Sequence, residues 1–189
     1  MIIDTKVELK RIIHEDCLPY KKQPSKKFFI KKFLAHPDLY FCRFLKYMRN
    51  EQYYKRKSGI YSKIKYLYYM RKKNIMGYRL GLEINGETIG EGILIRHYGS
   101  IVINSFASLG NHCTLRGNNC IGVARDGEKA TRIVNNVDIV FGAIIIGDID
   151  IADGVTIGAN AVVTKSCNEK NAVLVGSPAR ILKRGEKID

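Results

Sequence analysis

From Ile133 to Val163 the chain repeats every six residues. Large aliphatics stand at Ile133, Ile139, Ile145, Ile151, Ile157 and Val163. A second series, mostly small or β-branched, follows four residues after each: Val137, Ala143, Ile149, Val155, Ala161 and Cys167. Turn formers lie between them: Asn135-Asn136, Gly142, Gly147-Asp148, Asp153-Gly154 and Gly158. A period of six matches neither the ~3.6 of an amphipathic helix nor the ~2 of a half-buried strand. A short fixed period marks a repeat architecture, and hexads mark a parallel β-helix. Three hexads close a triangular coil of about 18 residues. The large aliphatic points inward from each face, and the small residue fits the corner. One coil cannot bury its own face, so stacked neighbours supply the core. An ordinary Ile-rich α/β core would not hold six consecutive hits in register.

The same pattern begins near Leu82. Ile89, Ile95, Ile101, Ala107 and Cys113 keep the period, with Ile93, Gly99 and Ser105 in the second series. Register fails after Asn119. The segment Val123 to Thr131 is polar and glycine-bearing, and the period resumes at Ile133. This predicts a loop pushed out of the coil, and such loops on rigid scaffolds often carry function. A smaller break falls at Asn168-Glu169-Lys170-Asn171, after which register returns at Val175, Ala179 and Ile181. The pattern predicts a repeat domain over 81–184 and a polar, frayed tail over 185–189.

Residues 1–80 differ in kind. Pro19 and Pro24 bracket an expected basic loop, Tyr20-Lys21-Lys22-Gln23, and Ser25 could cap a helix running through Leu34. His36-Pro37-Asp38 reads as a helix start, with Pro37 in the first turn. Leu39, Phe41, Cys42, Leu45 and Met48 then recur at helical spacing. A third helix is expected over roughly Ile60 to Met70, with Ile64, Leu67 and Tyr68 on one face. The region reads as a small α-helical domain of helices packed on one another.

Charge sharpens that division. Of 189 residues, those in 1–80 carry 21 Lys and Arg against 6 Asp and Glu, while 81–189 carry 11 against 12. The formal net charge of +14 therefore belongs to the helical part. That surface is a solvated helical face, or one drawn to an anionic membrane surface through Lys55-Arg56-Lys57 and Arg71-Lys72-Lys73. Tyrosines among lysines also suit single-stranded nucleic acid. No RNA or DNA module accompanies them, so nucleic acid is not an expected partner. The five cysteines show no paired spacing and no metal motif, which predicts reduced thiols in a cytoplasm. The start lacks a signal-peptide layout, and the longest apolar run, Ile139 to Gly147, is too short to span a bilayer. The expected location is cytoplasmic, at most peripheral to the inner membrane.

His97 is the leading chemical candidate. It lies in Ile95-Arg96-His97-Tyr98-Gly99-Ser100, two residues after an inward aliphatic, where a corner can project it outward. Glu83, 14 residues earlier and close to one coil away, could orient its imidazole, as carboxylates do in triads. His112 lies at a turn and reads as structural, while His14 and His36 lie in the helical part.

The hexads, the Ile95-to-Val102 element, the ejected loop and Val175-Gly176-Ser177-Pro178-Ala179-Arg180-Ile181 together resemble hexapeptide-repeat acyltransferases. Within these, the resemblance is to serine acetyltransferase and its relatives in polysaccharide biosynthesis. It covers about 81–184 and extends more weakly to the basic helical part. The resemblance implies a left-handed β-helix, an exception to right-handed crossovers. It also implies a homotrimer, acetyl-CoA in the cleft between subunits and no metal. His97 matches the family's general base, and Glu83 the carboxylate that orients it. Phe141, Gly142 and Ala159 would line the pantetheine channel. Thr164, Lys165, Arg180 and Lys183 would meet the amide and phosphate end, where cations give charge-assisted hydrogen bonds.

Two departures bear on the acceptor. Serine acetyltransferases carry an aspartate just before the catalytic His, and here that position is Arg96. They also carry an Arg-His pair in the loop, and here Lys129-Ala130 stands there. An acceptor ammonium would meet Arg96 rather than a carboxylate, so the expected acceptor is a saccharide hydroxyl, with Arg96 and Lys129 as substrate contacts. The expected function is O-acetyl transfer from acetyl-CoA to a saccharide or polysaccharide precursor. The alternatives are a serine O-acetyltransferase or a non-catalytic β-helix scaffold. A metal-dependent hydro-lyase on this fold would need three histidines across an interface, and the repeat holds only His97 and His112.

Overall fold

A computed structural model describes residues 2–21, 33–34, 36–123 and 130–183. The chain divides into two compact units, Met1–Leu80 and Gly81–Asp189.

The first unit holds three described helices: α1 (Lys6–Lys21), α2 (Pro37–Lys55) and α3 (Ile60–Leu80). Helix α2 packs on both others. It starts where the sequence predicts: His36 is its N-cap, and the His36 Nδ1 accepts from the Asp38 N–H at 3.3 Å. Helix α1 continues through Pro19 to Lys21, so Tyr20 and Lys21 of the expected loop are helical, while its remaining residues lie outside the described ones. Near a helix end a proline removes one hydrogen bond without breaking a run on either side. The helix expected over 25–34 falls mostly outside the described residues. Ile3, Leu9, Ile12, Phe41, Phe44, Leu45, Met48 and Tyr53 form the buried apolar part. Inside it lies an ion pair: Arg49 donates to Asp16 at 2.7 Å and to Gln52 at 3.3 Å, with all three side chains buried.

Two expectations fail in this unit. Cys17 and Cys42 form a disulfide linking α1 to α2, so the reduced-thiol reading is wrong for this pair. A separation of 25 residues carries no local signature. Packing of α1 on α2 brings the two Cα atoms within 5.1 Å. Helix α3, in turn, runs on to Leu80, and the Ile64, Leu67 and Tyr68 face is exposed instead of packed. Its opposite side meets α2, where Tyr69 stacks on Tyr54 with ring centroids 5.6 Å apart and Lys73 pairs with Glu51 at 2.8 Å.

The second unit is a left-handed parallel β-helix with three faces. Face A contains β1 (Leu82–Glu83), β3 (Ile101–Ile103), β6 (Cys120–Gly122), β9 (Ile144–Ile146) and β12 (Val162–Val163). Face B contains β4 (Ser108–Leu109), β7 (Arg132–Ile133) and β10 (Asp150–Ile151). Face C contains β2 (Leu94–Ile95), β5 (Thr114–Leu115), β8 (Asp138–Ile139), β11 (Thr156–Ile157), β13 (Val173–Val175) and β14 (Arg180–Lys183). Among the described strands only β14 runs antiparallel to its neighbour. Both hexad series from Ile133 to Cys167 are buried as expected. Coils there step by 18 residues, as Ile133↔Ile151, Ile139↔Ile157 and Ile145↔Val163 show. The preceding coil steps by 24, as in Leu115↔Ile139, because the loop leaves between β6 and β7.

Upstream, the phase differs from the expected one. The inward series is Ile103, Leu109, Leu115 and Ile121, while Ile101, Ala107, Cys113 and Asn119 occupy corners. The run Ile89, Ile95, Ile101, Ala107, Cys113 thus crosses from inward to corner positions at Ile101. The break in register falls after β6, downstream of Asn119. That residue is a buried corner whose Oδ1 accepts from Gly117 N–H at 3.1 Å and whose Nδ2 donates to Val140 O at 2.8 Å. Corner slots accept Ala, Cys, Val, Ile or a satisfied Asn, so residue type alone does not fix the phase.

Candidate active site

The phase slip adds two residues to the first coil, and they fall at His97. Ile95 aligns with Leu115 and Val102 with Cys120. Six residues, Arg96 to Ile101, therefore cover what four, Arg116 to Asn119, cover one coil later. The longer segment is pinned on both sides. Arg96 N–H donates to Leu115 O at 2.9 Å, Ser100 N–H to Asn118 Oδ1 at 3.0 Å, and Ile101 N–H to Gly81 O at 2.8 Å. His97 stands on the bulge between these ties, exposed. Among the described residues its ring has no hydrogen-bond partner.

Stacking then builds a column. Ile95, Leu115, Ile139, Ile157 and Leu174 align coil on coil. Two residues after each come His97, Gly117, Phe141, Ala159 and Gly176, along the corner where face C turns into face A. Gly117 is the tight point, with φ +104°. A Cβ there would lie 3.2 Å from the Phe141 ring and 3.4 Å from the His97 Cβ. His97 and Phe141 thus close over Gly117 from the coils on either side of it. Gly142 follows, pressed against the Asn160 side chain, and Ala159 is exposed. Apart from His97 and Phe141, the column carries nothing larger than a methyl group.

The other predicted residues lie elsewhere. Glu83 is exposed on β1, opposite Val102 rather than His97, because the coil step there is 19 residues. Gly81, two residues before it, packs under Gly99, two residues after His97. Glu83 and His97 therefore approach one corner, although no hydrogen bond or ion pair joins them among the described residues. Thr164 and Lys165 are exposed at the corner where face A turns into face B, across face A from the column. Arg180 opens β14 opposite Val175, and Lys183 closes it opposite Val173. Lys129 lies outside the described residues. Ala130 and Thr131, beside it, are buried back in the coil, with the Thr131 hydroxyl 3.0 Å from Gly147 O.

Arg96 belongs to the outer row of face C, next to inward Ile95, and not to the corner itself. One coil on, Arg116 fills the same row and pairs with Asp138 through two bonds, at 2.8 and 2.5 Å. That hydrogen bonding raises the Arg116 pKa above its ordinary value. The His112 ring occupies the space beside Gly92 that a side chain there would need, which fits its structural reading. Sequence reasoning missed Gly117-Asn118. This is a turn dipeptide, but it becomes a signal only once the first coil is known to step by 20 residues.

No family model matches the chain. The serine acetyltransferase of Synechococcus elongatus is 33% identical over 113 residues, 58% of this chain and 46% of that one. That of Staphylococcus aureus strain Mu50 is 33% identical over 128 residues, 66% of this chain and 60% of that one. The chain therefore spans 46% to 60% of the length of these curated relatives. Among solved structures, serine acetyltransferase from Brucella abortus strain S19 matches with a TM-score of 0.71 at 20% identity, over 96% of this chain and 71% of that one. That likeness shows the fold.

These findings correct the placement in the polysaccharide branch and, with it, the saccharide acceptor. The likeness in sequence and in fold is to serine acetyltransferases. The saccharide reading rested on two departures, Lys129-Ala130 in the loop and, just before the proposed base, Arg96. The structure puts that residue on the flank of face C, one position outside the column.

Proposed function

We propose that this chain is an acetyl-CoA-dependent O-acetyltransferase whose acceptor is the hydroxyl of serine. The observation that carries this reading is the His97–Gly117–Phe141 column on a β-helix like those of serine acetyltransferases. His97 is exposed on a pinned bulge, so its imidazole can reach an acceptor hydroxyl. Glu83 approaches from the start of β1 to support the imidazolium. Beyond Phe141, the small column residues leave a narrow backbone edge suited to a pantetheine arm. Thr164, Lys165, Arg180 and Lys183 supply the donor-binding hydroxyl and cations, which suit phosphates.

The chemistry is one displacement. His97 takes the hydroxyl proton as the serine oxygen attacks the thioester carbonyl. A backbone N–H of the adjoining coil steadies the oxyanion. The carbon–sulfur bond then breaks, and the departing thiolate takes the proton from the imidazolium. The column and the Thr164-Lys165 corner lie on opposite edges of face A. A homotrimer that sets one subunit's column against the next subunit's corner would complete the site. A positioned base contributes about 10²–10⁴-fold, so His97→Ala should lower kcat by that factor with the assembly intact. Near-normal turnover in a folded His97→Ala protein would overturn the assignment.

A further inference from the structure

Helix α3 has two apolar sides, and its packing on α2 uses only one. On the opposite side, Ile60, Ile64, Leu67, Tyr68, Ile75 and Tyr78 recur at helical spacing, exposed by 76, 60, 55, 49, 38 and 91%. At 3.6 residues per turn they span an arc of about 100°. A contiguous exposed stripe of that kind marks an interaction surface. Its borders are cationic. Lys63 lies on one margin, and Lys65, Lys72 and Arg79 lie on the other. Lys65 and Lys72 rest over the Tyr61 and Tyr68 rings, at 5.5 and 5.6 Å from the centroids. Arg71 stands within the stripe. From Ile60 to Leu80 there is no acidic residue.

We propose that this face of α3 docks on an anionic lipid bilayer surface. A long helix with an apolar stripe between lysine rows lies in the plane of a bilayer interface, the stripe among the acyl chains and the cations at the headgroups. The charge selects the occupant. A protein groove would be matched by mixed charges, whereas a helix with cations on both margins and no acid matches a uniformly negative sheet. No described helix is long and apolar enough to cross a membrane, so the contact is with the surface. This inference does not depend on the acetyl-transfer reading, and its test does not use activity.

The test is co-sedimentation of the full-length protein with vesicles of phosphatidylcholine alone and of phosphatidylcholine with phosphatidylglycerol. Binding is expected only to the second kind, and to weaken with added salt. Lys63→Glu and Lys72→Glu each reverse a marginal charge and should weaken partition by fivefold or more. Ile64→Ser with Leu67→Ser should weaken it at least tenfold, while circular dichroism and the mass in solution stay those of the parent. Absence of binding, or equal binding to neutral vesicles, would overturn the proposal. So would an Ile64→Ser, Leu67→Ser protein that still binds vesicles but forms a smaller assembly, since the face would then belong to a second copy.

Discussion

Replacing Gly117 by alanine perturbs the proposed site without removing any group that does chemistry. Two effects are expected. The backbone at φ +104° is one that L-residues rarely adopt, and holding it with a side chain costs about 1–3 kcal/mol. The added methyl would also sit 3.2 Å from the Phe141 ring and 3.4 Å from the His97 Cβ. The ring, and with it His97, must give by a few tenths of an ångström. A misplacement of about 1 Å can cost 10²-fold in rate, so a fraction of that should cost on the order of tenfold in kcat. Gly147→Ala supplies the reference. Its φ is +119°, yet the nearest atoms to its Cβ are in Ile149 at 3.7 and 3.8 Å, an ordinary contact. Both variants should lose similar stability in thermal unfolding, and only Gly117→Ala should lose the additional rate in a thiol-release assay. Equal rates in the two variants would refute the view that this column holds the catalytic geometry.

Elsewhere, Asp16→Ala removes the buried carboxylate that Arg49 meets at 2.7 Å, which should cost about 3–5 kcal/mol in urea unfolding. A loss below about 1 kcal/mol would show that the pair is not buried in solution. Cys113 gives a pH signature. Burial raises its thiol pKa to about 11, so above the ordinary value of 9.0 the unfolded chain ionises while the folded one does not. Stability should therefore fall as pH rises from about 9 to 11, by up to roughly 3 kcal/mol. Cys113→Ala should flatten that slope, and an unchanged slope would assign it to other groups.

The hexads made the β-helix legible because every coil repeats one demand: a large residue inward and a small one at the corner. The same repetition hid the phase slip at Ile101. Ala107 and Cys113 fit corners as well as they continue a period, and only strand pairing tells the two apart. The bulge bearing His97 is a consequence of that slip, so sequence offered the residue but not the reason it projects. Phe141 and Ala159 were singled out through resemblance, while Gly117 was not. The Cys17–Cys42 link and the outward face of α3 depend on how helices pack, and helical periodicity does not say which of two apolar faces is buried. The acceptor was misjudged because two local departures, at Arg96 and Lys129-Ala130, outweighed the likeness of the whole repeat, and Arg96 was weighed without its place on face C.

The central claim is acetyl transfer to serine, and thiol release tests it most directly. With acetyl-CoA present, the full-length protein should liberate CoA thiol only when serine is added, with O-acetylserine formed in equal amount. Folded protein that binds acetyl-CoA but releases no thiol in response to serine would contradict the account.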